Sequence, residues 1–166
     1  MRIRKLCSRD RTELVRLIRG TTEFTDAEKA CAIELVDAAL SDDAQTDYIF
    51  RITTDENDTA LGYACYGPTP MTDATFDLYW IAVSSFRRGG GLGRGLLAGV
   101  EEELRMGGAR HLIVETGSNP AYAKTRAFYD RAGYSVAARI PDYYKVGDDL
   151  IIYRKVLAQN ENSGHL

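Results

Sequence analysis

The stretch IAVSSFRRGGGLGRGLL, residues 81–97, joins an apolar strand-like run to an apolar helix-like run through five glycines. Glycine loses more conformational freedom on folding than any other residue, so this cluster indicates a loop whose backbone must approach something closely. The helix that follows begins with unpaired N–H groups and a partial positive charge, which attract phosphate. The three arginines of the quoted stretch can add bidentate contacts to phosphate oxygens. The stretch therefore predicts a strand, a diphosphate-binding loop and a helix, although a sharp turn alone also favours glycine.

The spacing of the glycines distinguishes among known phosphate loops. Leu96 stands where a Walker A motif needs lysine, so that motif is excluded. A dinucleotide fingerprint starting at Gly93 would begin ten residues after the strand, already inside the helical pattern. The pattern Arg88-x-x-Gly91-x-Gly93 agrees with the predicted elements better than either motif, because it follows a strand directly and begins an amphipathic helix.

Hydrophobic spacing predicts the elements in the order strand, two helices, three strands, helix, strand, helix, two strands. The predicted strands cover residues 2–6, 47–54, 60–66, 75–83, 111–116, 134–140 and 149–157. The predicted helices cover residues 9–19, 25–40, the run from the glycines to about 106, and 120–132. Thr25 followed by Glu28 is a capping box that begins the second helix. This order predicts one mixed α/β domain, residues 1–157, followed by a disordered tail at 158–166.

Composition places limits on function. The net charge is -3, but residues 21–80 alone carry -11, with basic segments before and after them. This asymmetry indicates two ligands of opposite charge, or acids that only solvate a helix and two loops. Three scattered cysteines and two histidines favour neither structural zinc nor disulfides, so we expect no metal and a cytoplasmic location. No apolar run approaches the ~20 residues of a membrane span, and the first residues lack the apolar centre of a signal peptide.

The motif Arg88-x-x-Gly91-x-Gly93 after a strand, together with RAFYDRAGY at residues 126–134, resembles the GNAT superfamily of acetyl-CoA-dependent acyltransferases. That family carries Q/R-x-x-G-x-G/A after its fourth strand, and later a helix ending in FY before GF or GY. The resemblance implies a central mixed, mostly antiparallel, seven-stranded twisted sheet flanked by about four helices. It also implies acetyl-CoA as the acyl donor and an amine as the acceptor.

The resemblance implies specific contacts to the coenzyme. It assigns the pyrophosphate to the loop and the start of its helix: Arg88, Gly89, Gly91, Gly93 and Arg94. It assigns the pantetheine arm and the thioester carbonyl to backbone groups of the preceding strand: Ile81, Ala82 and Val83. The family's coenzyme-binding asparagine falls at Tyr122 in this sequence, while Asn119 lies three residues earlier, so either residue is a candidate for that role.

Amine acetylation needs a neutral amine, a stabilised oxyanion and a proton for the leaving thiolate. Tyr129 matches the family's general-acid tyrosine, although it also lies on an apolar helix face. Glu115 ends an otherwise apolar strand, where an unpaired carboxylate is costly unless it faces a cleft. Asp77 is the other candidate base, because an even spacing places it on the same face of an ideal strand as Val83. Water without a dedicated base is the third possibility.

The acidic segment lies where the family places its acceptor-binding elements, so we expect a cationic amine or a peptide N-terminus. Four tyrosines are candidates for the acceptor pocket or are ordinary sheet residues: Tyr63, Tyr66, Tyr143 and Tyr144. Cys65 is expected to be a buried apolar residue rather than an acyl carrier. We expect no nucleic-acid or membrane partner and leave a homodimer open. The alternatives are a non-catalytic acyl-CoA sensor on the same fold and a protein that binds ATP or NAD through the glycine run.

Overall fold

The computed structural model describes residues 2–42, 44–84 and 90–157. The strands are β1 Arg2–Lys5, β2 Ile49–Thr54, β3 Ala60–Pro68, β4 Thr75–Val83, β5 His111–Gly117, β6 Ser135–Lys145 and β7 Asp148–Val156. The helices are α1 Arg11–Gly20, α2 Asp26–Ser41, α3 Leu92–Met106 and α4 Ala123–Arg131. Short 3-10 turns at Ser8–Asp10 and Pro120–Tyr122 precede α1 and α4. The predicted order of elements is confirmed, with ends that differ by a few residues.

The seven strands form one mixed sheet in the order β1-β2-β3-β4-β5-β7-β6. Every neighbouring pair is antiparallel except β4 and β5, which are parallel. The parallel pairing extends only from Thr75 to Leu78 of β4, opposite His111 to Val114 of β5. Beyond that point, Trp80 to Val83 of β4 pair with β3 and not with β5. The sheet is therefore open between β4 and β5 toward the end of β4.

Helices cover both faces of the sheet, and each face has its own buried core. The α3 core contains four leucines or valines of α3 and two residues at the end of α4: Leu96, Leu97, Val100, Leu104, Tyr129 and Ala132. The α1–α2 core contains two residues of α1 and two of α2, Leu14, Ile18, Ala32 and Val36, packed on residues of β2, β3 and β4. The capping box predicted for α2 is confirmed, since Thr25 accepts from the Glu28 backbone and Glu28 accepts from the Thr25 backbone. The described residues thus form a single α/β domain.

A bulge interrupts β4 at Tyr79. In β3, Cys65 pairs with Trp80, whereas the next residue, Tyr66, pairs with Leu78, which leaves Tyr79 as an extra residue. A bulge reverses the side-chain alternation of the strand that contains it. Even-numbered residues of β4 therefore face the α3 core before Tyr79, whereas odd-numbered residues face it after Tyr79.

The bulge separates two residues that the spacing predicts on one face. Leu78 before the bulge and Ile81 after it both pack toward the α3 core. Asp77 consequently faces the side of the sheet covered by α1 and α2, while Val83 faces α3. The prediction that Asp77 and Val83 share a face is wrong, because an ideal strand has no extra residue and this one does.

Candidate active site

A cleft of about 500 Å³ lies at the opening between β4 and β5. One wall is the segment between α1 and α2, represented by Thr21, Glu23 and Phe24. The opposite wall is α4, and the floor is the end of β4 with Gly93 of α3. We call this space the central cleft. Because it is lined from both sides of the sheet, it passes through the opening rather than lying on one face.

The glycines near the cleft serve two different needs. Gly91 precedes α3 with a φ of 75°, a left-handed conformation that favours glycine whatever its surroundings. Gly93 has no such requirement, and a Cβ placed on it would meet Phe128 at 3.7 Å and Val83 at 3.9 Å. Its missing side chain leaves room inside the central cleft. The first glycine shapes the turn, and the second keeps space beside the start of a helix.

The start of α3 also brings positive charge to the cleft. Arg94 is exposed and donates a hydrogen bond of 3.0 Å to the carbonyl of Arg131, so the first turn of α3 lies beside the last turn of α4. Arg131 and Lys124 of α4 both line the central cleft. Arg88 and Gly89, which the sequence also assigns to the pyrophosphate, lie outside the described residues. Unpaired N–H groups at the start of α3 and these cations fit an anionic ligand.

The end of β4 supplies the apolar floor of the cleft. Ile81, Ala82 and Val83, which the family resemblance assigns to the pantetheine arm, all line it, and that role stays a prediction. These residues pair with β3 along one edge of β4, and β5 has already diverged from the other edge. Backbone groups along that edge are therefore available to an extended ligand. An apolar channel with a backbone edge and a helix start at one end fits the chemistry of acetyl-CoA.

Tyr129 lies beside the cleft rather than on its lining surface. It is almost fully buried, and its ring packs against Phe128 at 5.3 Å and Tyr134 at 5.4 Å between ring centroids. Burial raises the pKa of its phenol above the ordinary range, so the hydroxyl carries its proton at neutral pH. It is the neighbouring Phe128 that lines the cleft. From this position the hydroxyl can donate a proton toward the cleft, and the catalytic role of Tyr129 stays a prediction.

Asp77 and Glu115 lie on the same face of the sheet, on the adjacent strands β4 and β5. Asp77 pairs with Ile113, so Glu115, two residues further along β5, shares that face. Partial burial and then the charge of Asp77 raise the pKa of Glu115. Asp77 itself accepts a 2.7 Å hydrogen bond from the Thr69 hydroxyl. Glu115, whose pKa is raised, lies on β5 just beyond the last residue that pairs with β4, at the edge of the opening, as expected of a base.

Tyrosines surround these two carboxyl groups. Tyr79 packs against Tyr48 with ring centroids 5.8 Å apart, and burial followed by the charge of Asp77 raises its pKa. On the other side, burial and then the charge of Glu115 raise the pKa of Tyr144. We call the surface formed by Asp77, Glu115, Tyr79 and Tyr144 the acidic face. It combines negative charge with aromatic rings, both of which attract alkylammonium groups.

The four tyrosines predicted as pocket candidates separate into two pairs. Tyr63 and Tyr66 are completely buried, so the expectation that they line a pocket is wrong. They point into the two cores because the alternation of a central strand buries both of its faces. Tyr143 and Tyr144 are about half exposed on β6, with ring centroids 5.0 Å apart.

Asn119 and Tyr122 both bind protein groups. The Asn119 side chain donates to Asp148 at 2.7 Å and accepts from the Ala121 backbone at 3.0 Å. The Tyr122 hydroxyl donates to Glu28 at 2.5 Å, which joins the start of α4 to the start of α2. Neither contact is predicted from the sequence, because the partners lie 29 and 94 residues away along the chain. Whether either residue contacts the coenzyme stays a prediction.

Cys65 and the possible metal ligands are the remaining groups for which the sequence gives an expectation. Cys65 is completely buried, and burial raises the pKa of its thiol, which agrees with the expected apolar role. No group of three or more His, Cys, Asp or Glu side chains among the described residues is arranged to hold a metal ion. Within those same residues, no helix combines the length and the apolar character needed to cross a membrane.

Sequence reasoning missed the aromatic wall of the cleft. Phe24 lies just before α2 and packs on Trp80 of β4, with ring centroids 4.9 Å apart. Phe128 forms part of the opposite wall, and the sequence indicates it only as half of the FY motif. The only local signal is an aromatic residue just outside a helix cap, which also occurs where no cleft exists. That Phe24 and Phe128 line the same cleft is visible only in three dimensions.

A mixed seven-stranded sheet that opens between two parallel strands, with a glycine-led helix at the opening, defines a coenzyme A-dependent acyltransferase domain. The sequence matches the acetyltransferase (GNAT) family over residues 13–134, which is more than half of the chain. The chain therefore belongs to the GNAT family, and it is an acetyltransferase that uses acetyl-CoA as its acyl donor. No curated protein matches the sequence.

Solved structures agree with this assignment. A GNAT-family protein from Desulfovibrio desulfuricans shares 45% identity with a TM-score of 0.90, and the match covers 95% of this chain and 99% of that one. The ribosomal-protein-S18-alanine N-acetyltransferase of Escherichia coli shares the fold at 21% identity and a TM-score of 0.76, covering 99% of each chain. An aminoglycoside 6'-N-acetyltransferase in complex with coenzyme A shares it at 19% identity and 0.75, covering 95% and 98%.

Proposed function

We propose that this protein acetylates a primary amine of a cationic small molecule or of a peptide N-terminus, by direct attack of the amine on acetyl-CoA. The observation that carries the proposal is the position of Asp77 and Glu115. Both carboxyl groups lie on the acidic face, next to the opening through which the central cleft passes. An amine arriving from that face meets negative charge before it reaches the end of β4.

The donor side of the proposal rests on the cleft. Acetyl-CoA supplies an activated acetyl group on a long, flexible arm that ends in a diphosphate. The start of α3, with Gly93 and Arg94, would hold the diphosphate, and the backbone edge at Ile81 to Val83 would align the arm. The N–H of Val83 is the candidate donor to the carbonyl oxygen as negative charge develops there.

The proton steps use two groups on opposite sides of the opening. The ammonium first loses one proton to solvent, and Glu115, directly or through one water, then accepts the second proton that the neutral nitrogen loses as it attacks. A nitrogen–carbon bond then forms as the carbon–sulfur bond breaks, and the Tyr129 hydroxyl donates a proton to the leaving sulfur. The buried thiol of Cys65 supports transfer without an acyl-enzyme, because a raised pKa makes it a poor nucleophile.

The expected acceptor charge comes from the acidic face and its surroundings. Like Glu115, the carboxyl groups of Asp148 and Glu28 lie close enough for their charges to raise the pKa of Tyr144. Two structural neighbours are named for aminoglycosides and for an alanine of ribosomal protein S18, and both names are consistent with amine acceptors. We expect this protein to prefer amines that carry no carboxylate near the reacting nitrogen.

An acceptor panel tests this function. Purified protein with acetyl-CoA is offered spermidine, an aminoglycoside, an alanine-initiated peptide, glutamate and taurine, and thiol release is followed together with the mass of the product. We expect a mass increase of one acetyl group on a cationic acceptor or on the peptide, with kcat/KM at least about tenfold above the anionic amines. Turnover confined to glutamate or taurine would overturn the charge argument.

A further inference from the structure

A chain of hydrogen-bonded polar side chains links β7 to α2 near the opening of the sheet. At one end, the nearly buried carboxylate of Asp148 accepts from the backbone N–H of Asn119 at 3.1 Å and from its side chain at 2.7 Å. Asn119 then caps the 3-10 turn Pro120–Tyr122 by accepting from the Ala121 backbone. Asp148 therefore fixes the turn that carries Tyr122.

At the other end, Tyr122 reaches the first turn of α2. Its hydroxyl donates to one oxygen of Glu28 at 2.5 Å, and the other oxygen of Glu28 accepts from the Thr25 backbone at 2.7 Å. One carboxylate thus closes the start of α2 and ties it to the turn before α4. We call Asp148, Asn119, Tyr122 and Glu28 the strap.

The strap is closely packed where it passes over β5. A Cβ placed on Gly117 would lie 3.0 Å from Asp148, 3.1 Å from Asn119 and 3.3 Å from the ring of Tyr122. Glycine at this position allows the three side chains to lie flat against the end of the strand. Arg126 of α4 donates to the carbonyls of Gly117 and Asn119 and holds the same turn from the other side.

The strap joins the two walls of the central cleft. Glu28 follows directly on the segment of Thr21, Glu23 and Phe24 that forms one wall, and Tyr122 precedes the α4 residues that form the other. The acidic face lies close to the strap, since Glu28 and Asp148 lie near enough for their charges to raise the pKa of Tyr144. The width of the passage between donor and acceptor therefore depends on this contact.

We propose that Tyr122 is a positioning residue that holds the α1–α2 wall at the spacing needed to grip the acetyl-CoA arm, and that Asn119 and Tyr122 serve the strap instead of binding the coenzyme directly. This inference rests on the proposed function, because it describes the walls of the same cleft. It predicts that loss of the Tyr122 hydroxyl weakens binding while the chemical step is unaffected.

The test compares Tyr122→Phe with Tyr134→Phe. The second variant removes an equivalent hydrogen bond, since the Tyr134 hydroxyl donates to Glu101 at 3.0 Å away from the cleft. For Tyr122→Phe we expect a three- to tenfold higher Kd for acetyl-CoA by calorimetry, a KM raised by a similar factor, and a kcat within about twofold of the wild-type value. Tyr134→Phe should leave the Kd unchanged.

Hydrogen exchange measured without ligand tests the wall itself. Amides of residues 21–29 should exchange several-fold faster in Tyr122→Phe than in the wild type, and at the wild-type rate in Tyr134→Phe. Unchanged exchange or an unchanged Kd in Tyr122→Phe would overturn the proposal. Because exchange requires no coenzyme, it also tests the strap if the wild type fails to bind acetyl-CoA. Failure of the wild type to bind acetyl-CoA would overturn the proposed function and not the strap.

A double-mutant cycle separates the strap from the helix cap. Glu28→Ala removes both, whereas Thr25→Ala removes one half of the capping box and leaves Tyr122 and Glu28 in contact. If the strap acts as one unit, Tyr122→Phe has no further effect on the Kd in the Glu28→Ala background but keeps its full effect in the Thr25→Ala background. Equal, multiplicative effects in both backgrounds would overturn the proposal.

Discussion

The central cleft passes through the opening in the sheet and the acidic face lies next to that opening, yet the two are built differently. The cleft takes its floor from residues that are close in the chain, Ile81 to Val83 and Gly93, through backbone, small residues and apolar side chains. The acidic face takes one side chain each from β4, β5 and β6, together with the bulge residue Tyr79. The floor of the cleft is therefore local in the chain, whereas its walls and the acidic face come together only when the chain folds.

This difference indicates how the two ligands are recognised. A diphosphate and an extended arm can be held by backbone groups, which every sequence of the right conformation supplies. A particular amine must be distinguished by side chains, and these come from distant parts of the chain. Related proteins can therefore keep the cleft and change the acceptor by altering a few residues on the acidic face.

Filling the cleft should have the largest effect. Gly93→Val places a branched side chain beside Val83 and Phe128, where only ordinary contacts exist with the protein, so the fold should survive while the ligand space is lost. We expect acetyl-CoA affinity to fall by at least about a thousandfold, measured by calorimetry. Ala98→Val, at an exposed position of the same helix, is the control. Wild-type affinity in Gly93→Val would remove the start of α3 from the donor site.

Removing the candidate base should have the next largest effect. Glu115→Gln keeps the size of the side chain but cannot accept a proton, so kcat/KM should fall by about a hundredfold with an unchanged Kd for acetyl-CoA. Glu102→Gln, an exposed acid on α3 paired with Arg105, should behave as wild type. Full activity in Glu115→Gln would favour Asp77 or water as the base.

Tyr129→Phe tests the proton donor on the cleft side. A thiolate leaves more easily than an alkoxide, because its conjugate acid has a pKa near 8.5, so we expect only about a tenfold loss in kcat. The Kd for acetyl-CoA should not change. Tyr153→Phe alters a neighbouring ring of the same buried cluster, 5.8 Å from Tyr129 between centroids, and serves as the packing control. Equal losses in both variants would assign Tyr129 to packing alone.

The smallest expected effect is a shift in pH dependence. The charge of Asp77 contributes to the raised pKa of Glu115, and Glu115 must be deprotonated to act as a base. Activity should therefore rise with pH through the pKa of Glu115, and Asp77→Asn should move this acid limb to lower pH. Asp73→Asn, which removes the same charge from an exposed position, should leave the limb in place. The measurement is kcat/KM against pH, and an unmoved limb in Asp77→Asn contradicts the coupling.

Much of the fold follows from local pattern. The capping box at Thr25 and Glu28 and the helix-ending Gly133 depend on neighbours within a few residues, so their positions are visible in the sequence. The bulge at Tyr79 could not be predicted, because it arises from the registers of β4 against both β3 and β5. The same limit applies to Tyr63 and Tyr66, whose burial depends on helices that cover both faces of β3.

The sequence by itself determined the donor. The glycine run, the strand before it and the FY helix define a GNAT acetyltransferase, because backbone conformation near a phosphate is set by adjacent residues. Only the tertiary structure decided how the other half of the site is arranged. It placed Asp77 and Glu115 on one face, turned Val83 to the other, and joined Tyr122 to Glu28 across 94 positions of the chain. Such contacts depend on strand register and on the closing of long loops, and no short stretch of residues determines either of them.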